Sequence, residues 1–147
     1  MINDHEIIPQ AIAKPRSFVG LMTLYESNFI KLHNLLPDLR DIDTERVLES
    51  LNAENLYLTI LEKTKYTITF SLTYSFKHNN KINYEPNLTI RAYYDGDLAE
   101  VISIGDIHGR NQFREIVNQN NEIISKLWKK NIVFNKWLDY LLDNNYS

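Results

Sequence analysis

The string Gly105-Asp106-Ile107-His108-Gly109-Arg110 holds, in order, two groups that metal-assisted phosphoester hydrolysis requires. A hard carboxylate and an imidazole both suit a divalent ion, and a glycine-bounded turn aims them at one point. A two-metal centre needs several further ligands. The other histidines are His5, His33 and His78, and none sits in a glycine-flanked histidine motif. Without that context the string reads as a turn leaving a sheet, so no metal and no cofactor is expected. A hydrolase reading would rest instead on carboxylates such as Asp95, Glu100 and Asp106.

Arg91 and Glu100 offer a second kind of chemistry. They stand opposite each other if Asp95-Gly96 turns a hairpin. On a wet sheet face such a pair is a cross-strand ion pair contributing well under ~1 kcal/mol. On a concave floor, Arg91 with neighbouring Tyr93 would instead recognise an anion or a carboxylate. Glu62 falls on the apolar parity at the end of another hairpin, beside Lys63 and Lys65, and joins Arg91, Tyr93 and Glu100 as a candidate ligand-binding residue. No residue is assigned a catalytic role. Lys126, Lys129 and Lys130 around Trp128 resemble a basic aromatic patch, but on an amphipathic helix lysines form the wet face and tryptophan the dry one.

The composition limits these options further. The chain has 147 residues, 44% hydrophobic and 24% charged, which suits one globular domain with a real core. It contains no cysteine, which removes thiolate catalysis, disulfides and zinc ribbons. A net charge of -3 supplies no excess cation for phosphate backbones, so nucleic acid is not an expected partner. With four glycines, phosphate-cradling loops are scarce. No apolar run approaches the length of a membrane span, and the start, Met1-Ile2-Asn3-Asp4-His5-Glu6, lacks a basic leader; a cytoplasmic protein without membrane partners is expected.

Residues 1–15 show no clean period and read as an arm; residues 16–147 read as one domain. Phe18, Leu21, Met22, Tyr25, Phe29, Leu32 and Leu36 recur at helical spacing and predict a helix over about 17–36, stopped by Pro37. An acidic linker follows. Strict alternation then predicts two strands joined at Lys63-Thr64-Lys65, with Ile60 opposite Ile68, Leu58 opposite Phe70 and Leu56 opposite Leu72. Their other face is rich in threonine: Thr59, Thr67, Thr69 and Thr73. A polar connection from Lys77 to Asn87 leads to the second hairpin. There a type I′ turn at Asp95-Gly96 would pair Tyr94 with Asp97, Tyr93 with Leu98, Ala92 with Ala99, Arg91 with Glu100 and Ile90 with Val101. Residues 46–51 read as a fifth strand or a short helix. Ile124, Leu127, Trp128, Phe134, Trp137, Leu138 and Leu141 predict a final helix whose apolar stripe Asn131 interrupts. The fold class is α+β: an antiparallel meander of four to five strands, with an N-terminal and a C-terminal helix packed on one face.

Leu21 to Phe29 with Leu35-Leu36-Pro37, Tyr57 to Thr67, Pro86 to Arg91, Tyr93-Tyr94-Asp95-Gly96, Ala99-Glu100-Val101, Asn131 and Trp137-Leu138 together resemble the YqiB-like family of uncharacterised bacterial proteins. The resemblance runs from about residue 16 to 142 and implies a domain without an assigned activity. The mild net negative charge is concentrated between Asp38 and Glu54, leaving the strand stretch from Lys63 to Arg91 locally basic. The expectation is therefore a binding or interaction module using its sheet face or helix–sheet cleft. Its partner would be a small anion or a protein, with self-association through a sheet edge as a further expectation.

Overall fold

Ser17 starts the first helix, its Oγ accepting the Gly20 N–H at 3.0 Å and so satisfying a donor that the first turn leaves unpaired. The computed structural model describes residues 17–78, 81–104 and 120–147; the N-terminal arm and the Gly105–Arg110 string lie outside them. Helix α1 spans Phe18–Leu35 and buries Leu21, Leu24, Tyr25, Asn28, Leu32 and Leu35. Phe18, counted in the predicted stripe, is instead 61% exposed, and Leu24 fills the stripe in the next turn. Beyond Pro37, one 3-10 turn (Leu39–Asp41) leads into the sheet. Arg46 returns to this linker, holding Asp38 by two parallel bonds of 2.7 and 2.8 Å.

Five strands follow in sequence order, each antiparallel to the last: β1 (Glu45–Ser50), β2 (Ala53–Lys63), β3 (Thr67–His78), β4 (Lys81–Tyr93) and β5 (Leu98–Ile104). The helix-or-strand ambiguity at residues 46–51 resolves to strand. The β2–β3 register differs from expectation by two residues: Ile60 faces Phe70 and Leu58 faces Leu72. The turn is longer than the three residues expected and displaces the register by three where Lys63 faces Ile68; a bulge between Ile60 and Glu62 takes one of these back. A two-residue slip preserves sidedness, so the same apolar set stays buried. The polar connection at 77–87 is strand rather than loop, since β3 and β4 pair out to His78 and Lys81. Backbone pairing needs no apolar alternation there, and Pro86 falls inside the irregularity between Thr73 and Ser75, where a missing N–H breaks no regular ladder. At the β4–β5 hairpin, the predicted pairs from Tyr93–Leu98 through Ile90–Val101 all form. The turn itself is longer. Residues 94–97 make it, with positive φ (54°) at Asp97 rather than at Asp95. Aspartate is among the few residues that accept that conformation.

Helix α2 covers Asn120–Asp143. The main core joins Leu32 and Leu35 of α1, Phe134, Leu138 and Leu141 of α2, and one sheet face that includes Leu58, Phe70, Leu72, Ile90 and Val101. The two helices run side by side in the same direction, residue 28 meeting 131 and residue 31 meeting 135 and 139. Their N-terminal halves build a second cluster around Leu24, Tyr25, Leu127 and Trp128, against which Leu98 packs. Lys126 and Lys129 are exposed while Trp128 is buried, the wet-and-dry division of an amphipathic helix. At the other end of the sheet, Ser147 exchanges two backbone bonds with Glu49 of β1, and the Tyr146 hydroxyl donates to the Glu54 carbonyl.

Trp128 is 1% exposed, yet among the described residues its indole N–H has no hydrogen-bond acceptor. A buried unmade bond costs about 1–3 kcal/mol, and phenylalanine removes that cost along with part of the ring's packing. Trp128→Phe is therefore expected to change unfolding free energy by no more than about 1 kcal/mol in a urea titration. A drop of about 3 kcal/mol, the scale of a truncated core aromatic, would show that the N–H is bonded.

Candidate functional site

Antiparallel pairing places one row of side chains across the sheet, on the face turned away from the main core. Glu62 of β2 pairs with Thr69 of β3, Thr69 with Arg91 of β4, and Arg91 with Glu100 of β5. The bulge at Leu61 puts Glu62 in this row, whereas unbroken alternation would have sent it to the apolar face. Glu62 itself is exposed and three strand spacings from Glu100, about 14 Å. These two carboxylates are too far apart to act as an acid–base pair on one bond.

Arg91, Tyr93 and Glu100 do converge. The expected ion pair between Arg91 and Glu100 is not what holds them. The Arg91 Nε–H donates to Thr69 Oγ1 at 2.9 Å, and among the described residues Arg91 has no ion pair. Glu100 Oε1 instead accepts the Tyr93 hydroxyl at 2.6 Å. Burial pushes the Tyr93 phenol up to about 12, with the charge and hydrogen bond of Glu100 adding to the shift and Arg91 opposing it. Tyr25 comes from α1 and approaches Glu100 as well; burial, then the same carboxylate, raises its phenol far above the usual tyrosine value. Both phenols therefore keep their protons at neutral pH and serve as donors rather than bases. The result is a half-buried guanidinium, anchored on Thr69 and next to the Tyr93 phenol, beside a carboxylate already engaged by that tyrosine. A guanidinium carries five N–H groups, so these contacts leave donors over.

What fixes this corner is a buried amide network at the β5 edge. Asn28 Nδ2 donates to the Ala99 carbonyl at 3.2 Å, and Asn131 Oδ1 accepts the Val101 N–H at 2.8 Å. The two asparagines bond each other at 3.3 Å, and Asn131 Nδ2 returns to the Leu127 carbonyl at 2.9 Å. Asn135 links Asn28 and Ser27, and Lys31 bonds both Asn135 and Asp139. All three asparagines are fully buried. Side chains thus take the outward backbone groups of Ala99 and Val101, closing this edge to a further strand. They also hold Glu100 between two fixed residues.

A separate cluster sits where α1 meets the β4–β5 turn. Phe29 stacks on His33 with ring centroids 4.1 Å apart, Tyr94 meets both rings edge-on, and the Arg40 guanidinium lies 4.4 Å over Tyr94. The His33 Nε2 is 3.1 Å from the Tyr94 hydroxyl. No group of three metal-ligating side chains occurs among the described residues. Asp95 is exposed in its turn, apart from Glu100 on the strand, while Asp106 and His108 lie outside the described residues. Of the sequence candidates, Arg91, Tyr93 and Glu100 come together and Glu62 stands at the far end of their row. Tyr25, Thr69 and the three asparagines were missed. Only Asn131, a polar residue on an apolar stripe, carried a visible signal.

The family model described as "Protein of unknown function (DUF1249)" matches residues 31–147. The chain is 35% identical over 88 residues to "Uncharacterized protein YqiB" of Escherichia coli strain K12 and, equally, to that of Escherichia coli O157:H7. Each alignment covers 58% of this chain and 60% of the relative, so the chain spans less than two thirds of the curated relatives it matches. No solved structure matches. Among the described residues no helix is long and apolar enough to cross a membrane.

Proposed function

The chain belongs to the DUF1249 family of proteins of unknown function, and from that premise we propose that it is a binding module whose Arg91–Tyr93 corner takes a small anion, a carboxylate or a phosphate. One observation carries the reading: a half-buried guanidinium without an ion pair among the described residues. Half-burying a guanidinium whose facing carboxylate, Glu100, is engaged by Tyr93 is costly, and an incoming anion offsets that cost while gaining charge-assisted hydrogen bonds. Thr69 and the Tyr93–Glu100 bond fix the surroundings in advance, so little side-chain ordering is lost when the anion arrives. Glu100 beside Arg91 limits how much negative charge the corner accepts, which favours a compact anion over a polyanion.

A thermal-shift screen of the full chain against acetate, succinate, citrate and inorganic phosphate tests the reading. A ligand that binds only the folded state raises the melting temperature with concentration. Arg91→Gln is expected to remove that rise while leaving the unliganded protein folded. An equal rise in both proteins would show that the anion acts elsewhere.

A further inference from the structure

Between α1 and the β4–β5 turn lies an open groove of about 410 Å³, lined by Glu26, Phe29, Ile30, Gly96 and Asp97. It is distinct from the Arg91 corner. Two of its five lining residues are carboxylates and none is basic; among the described residues neither carboxylate has an ion pair. The nearby cation Arg40 is committed, since it covers Tyr94 and donates to the Lys65 carbonyl. The apolar part of the groove is unusual for a helix surface: Ile30 is 61% exposed beside half-buried Phe29. That Phe29 is held by the His33 stack and by Tyr94, so the floor is formed before anything docks. Asp97 is fixed on the opposite wall by a left-handed backbone conformation.

We propose that this groove docks a segment of a partner protein presenting a lysine or arginine next to an aliphatic or aromatic residue. The charge pattern selects the occupant. Two uncompensated carboxylates attract a cation, but exposed pairs are screened by salt and give little binding alone. The apolar neighbour supplies the rest by covering Ile30 and Phe29, whereas an acidic or purely polar segment gains from neither wall. A preformed aromatic floor with a charged rim is the arrangement in which a few anchor residues carry recognition.

The probe is an acetylated, amidated pentapeptide Gly-Leu-Lys-Leu-Gly, titrated into the full nitrogen-labelled chain and followed by amide chemical shifts. A counterpart with glutamate replacing lysine is titrated in parallel. The lysine peptide should shift the amides of Phe29, Ile30, Gly96 and Asp97 saturably; the glutamate peptide should not. The double variant Glu26→Gln/Asp97→Asn should weaken binding at least tenfold; asparagine tolerates the backbone of Asp97, so the turn survives. Ile30→Ser provides an independent check on the apolar half and should also weaken binding. Shifts confined to other surfaces, or unchanged affinity in both variants, would overturn the proposal. So would concentration-dependent shifts of the same amides without peptide, which would make a second copy of the chain the occupant.

Discussion

Asn131→Leu is expected to lower the unfolding free energy by about 2–5 kcal/mol, even though leucine completes the apolar stripe of α2. The replacement strands the Val101 N–H and one Asn28 amide donor in an interior where Asn131 itself is fully buried. Each buried unsatisfied group costs about 1–3 kcal/mol, and leucine's better hydrophobic fit does not restore a partner to either. Against a typical total of about 5–15 kcal/mol this is a large fraction of the fold. Chemical denaturation reads it directly. Asn28→Leu should also destabilise, and the double variant should cost less than the two single changes combined, because each change strands groups that the other removes. Strict additivity would mean that the network at the β5 edge is not a unit.

Alkaline titration should unfold the protein steeply. The phenols of Tyr93 and Tyr94 are both pushed up to about 12 by burial, and that of Tyr25 is raised further. In the unfolded chain they ionise near pH 10. The native state therefore holds protons that the unfolded state releases. Their contribution is complete below about pH 10 and is lost as pH rises through the native values. Each group contributes at most about 1.4 kcal/mol per pH unit across that window. Tyr25, only 5% exposed, should approach the full effect, while the half-exposed Tyr93 and Tyr94 contribute less because solvent screens them. Phenolate absorbance for these residues should appear together with the loss of circular dichroism. Ionisation near pH 10 with the fold intact would contradict the burial of Tyr25 and its contact with Glu100.

The β4–β5 hairpin was legible because its alternation and its Asp95-Gly96 turn signal agreed, and the ladder pairs from Tyr93–Leu98 through Ile90–Val101 follow from them; a bulge between Thr89 and Ile90 shifts the pairs beyond. The β2–β3 hairpin was legible only in its sidedness. A bulge leaves no mark in alternation, so Leu61 carried Glu62 to the outer face unseen, while the longer turn displaced the register. The strand pairing across 77–87 was illegible because its hydrogen bonds are backbone bonds, indifferent to side-chain type. Arg91, Tyr93 and Glu100 share a two-stranded register and were found together. Tyr25 and Asn28 reach the same corner from a helix about seventy residues earlier, where helical periodicity reports burial but not partners. Asn131 was visible as an interruption. Its role was not, because the groups it satisfies belong to other elements.

The Arg91 corner is most directly tested by calorimetric titration of succinate and of inorganic phosphate into the full chain, alongside Arg91→Gln and Arg91→Lys. Saturable binding by one of these anions is expected in the parent protein. Arg91→Gln should weaken it by at least about tenfold, the scale of one lost charge-assisted hydrogen bond. Arg91→Lys should recover part of the affinity, since it restores the charge but not the planar fork. Equal affinity in the parent and Arg91→Gln proteins, or no binding of either anion to the folded parent chain, would contradict the assignment.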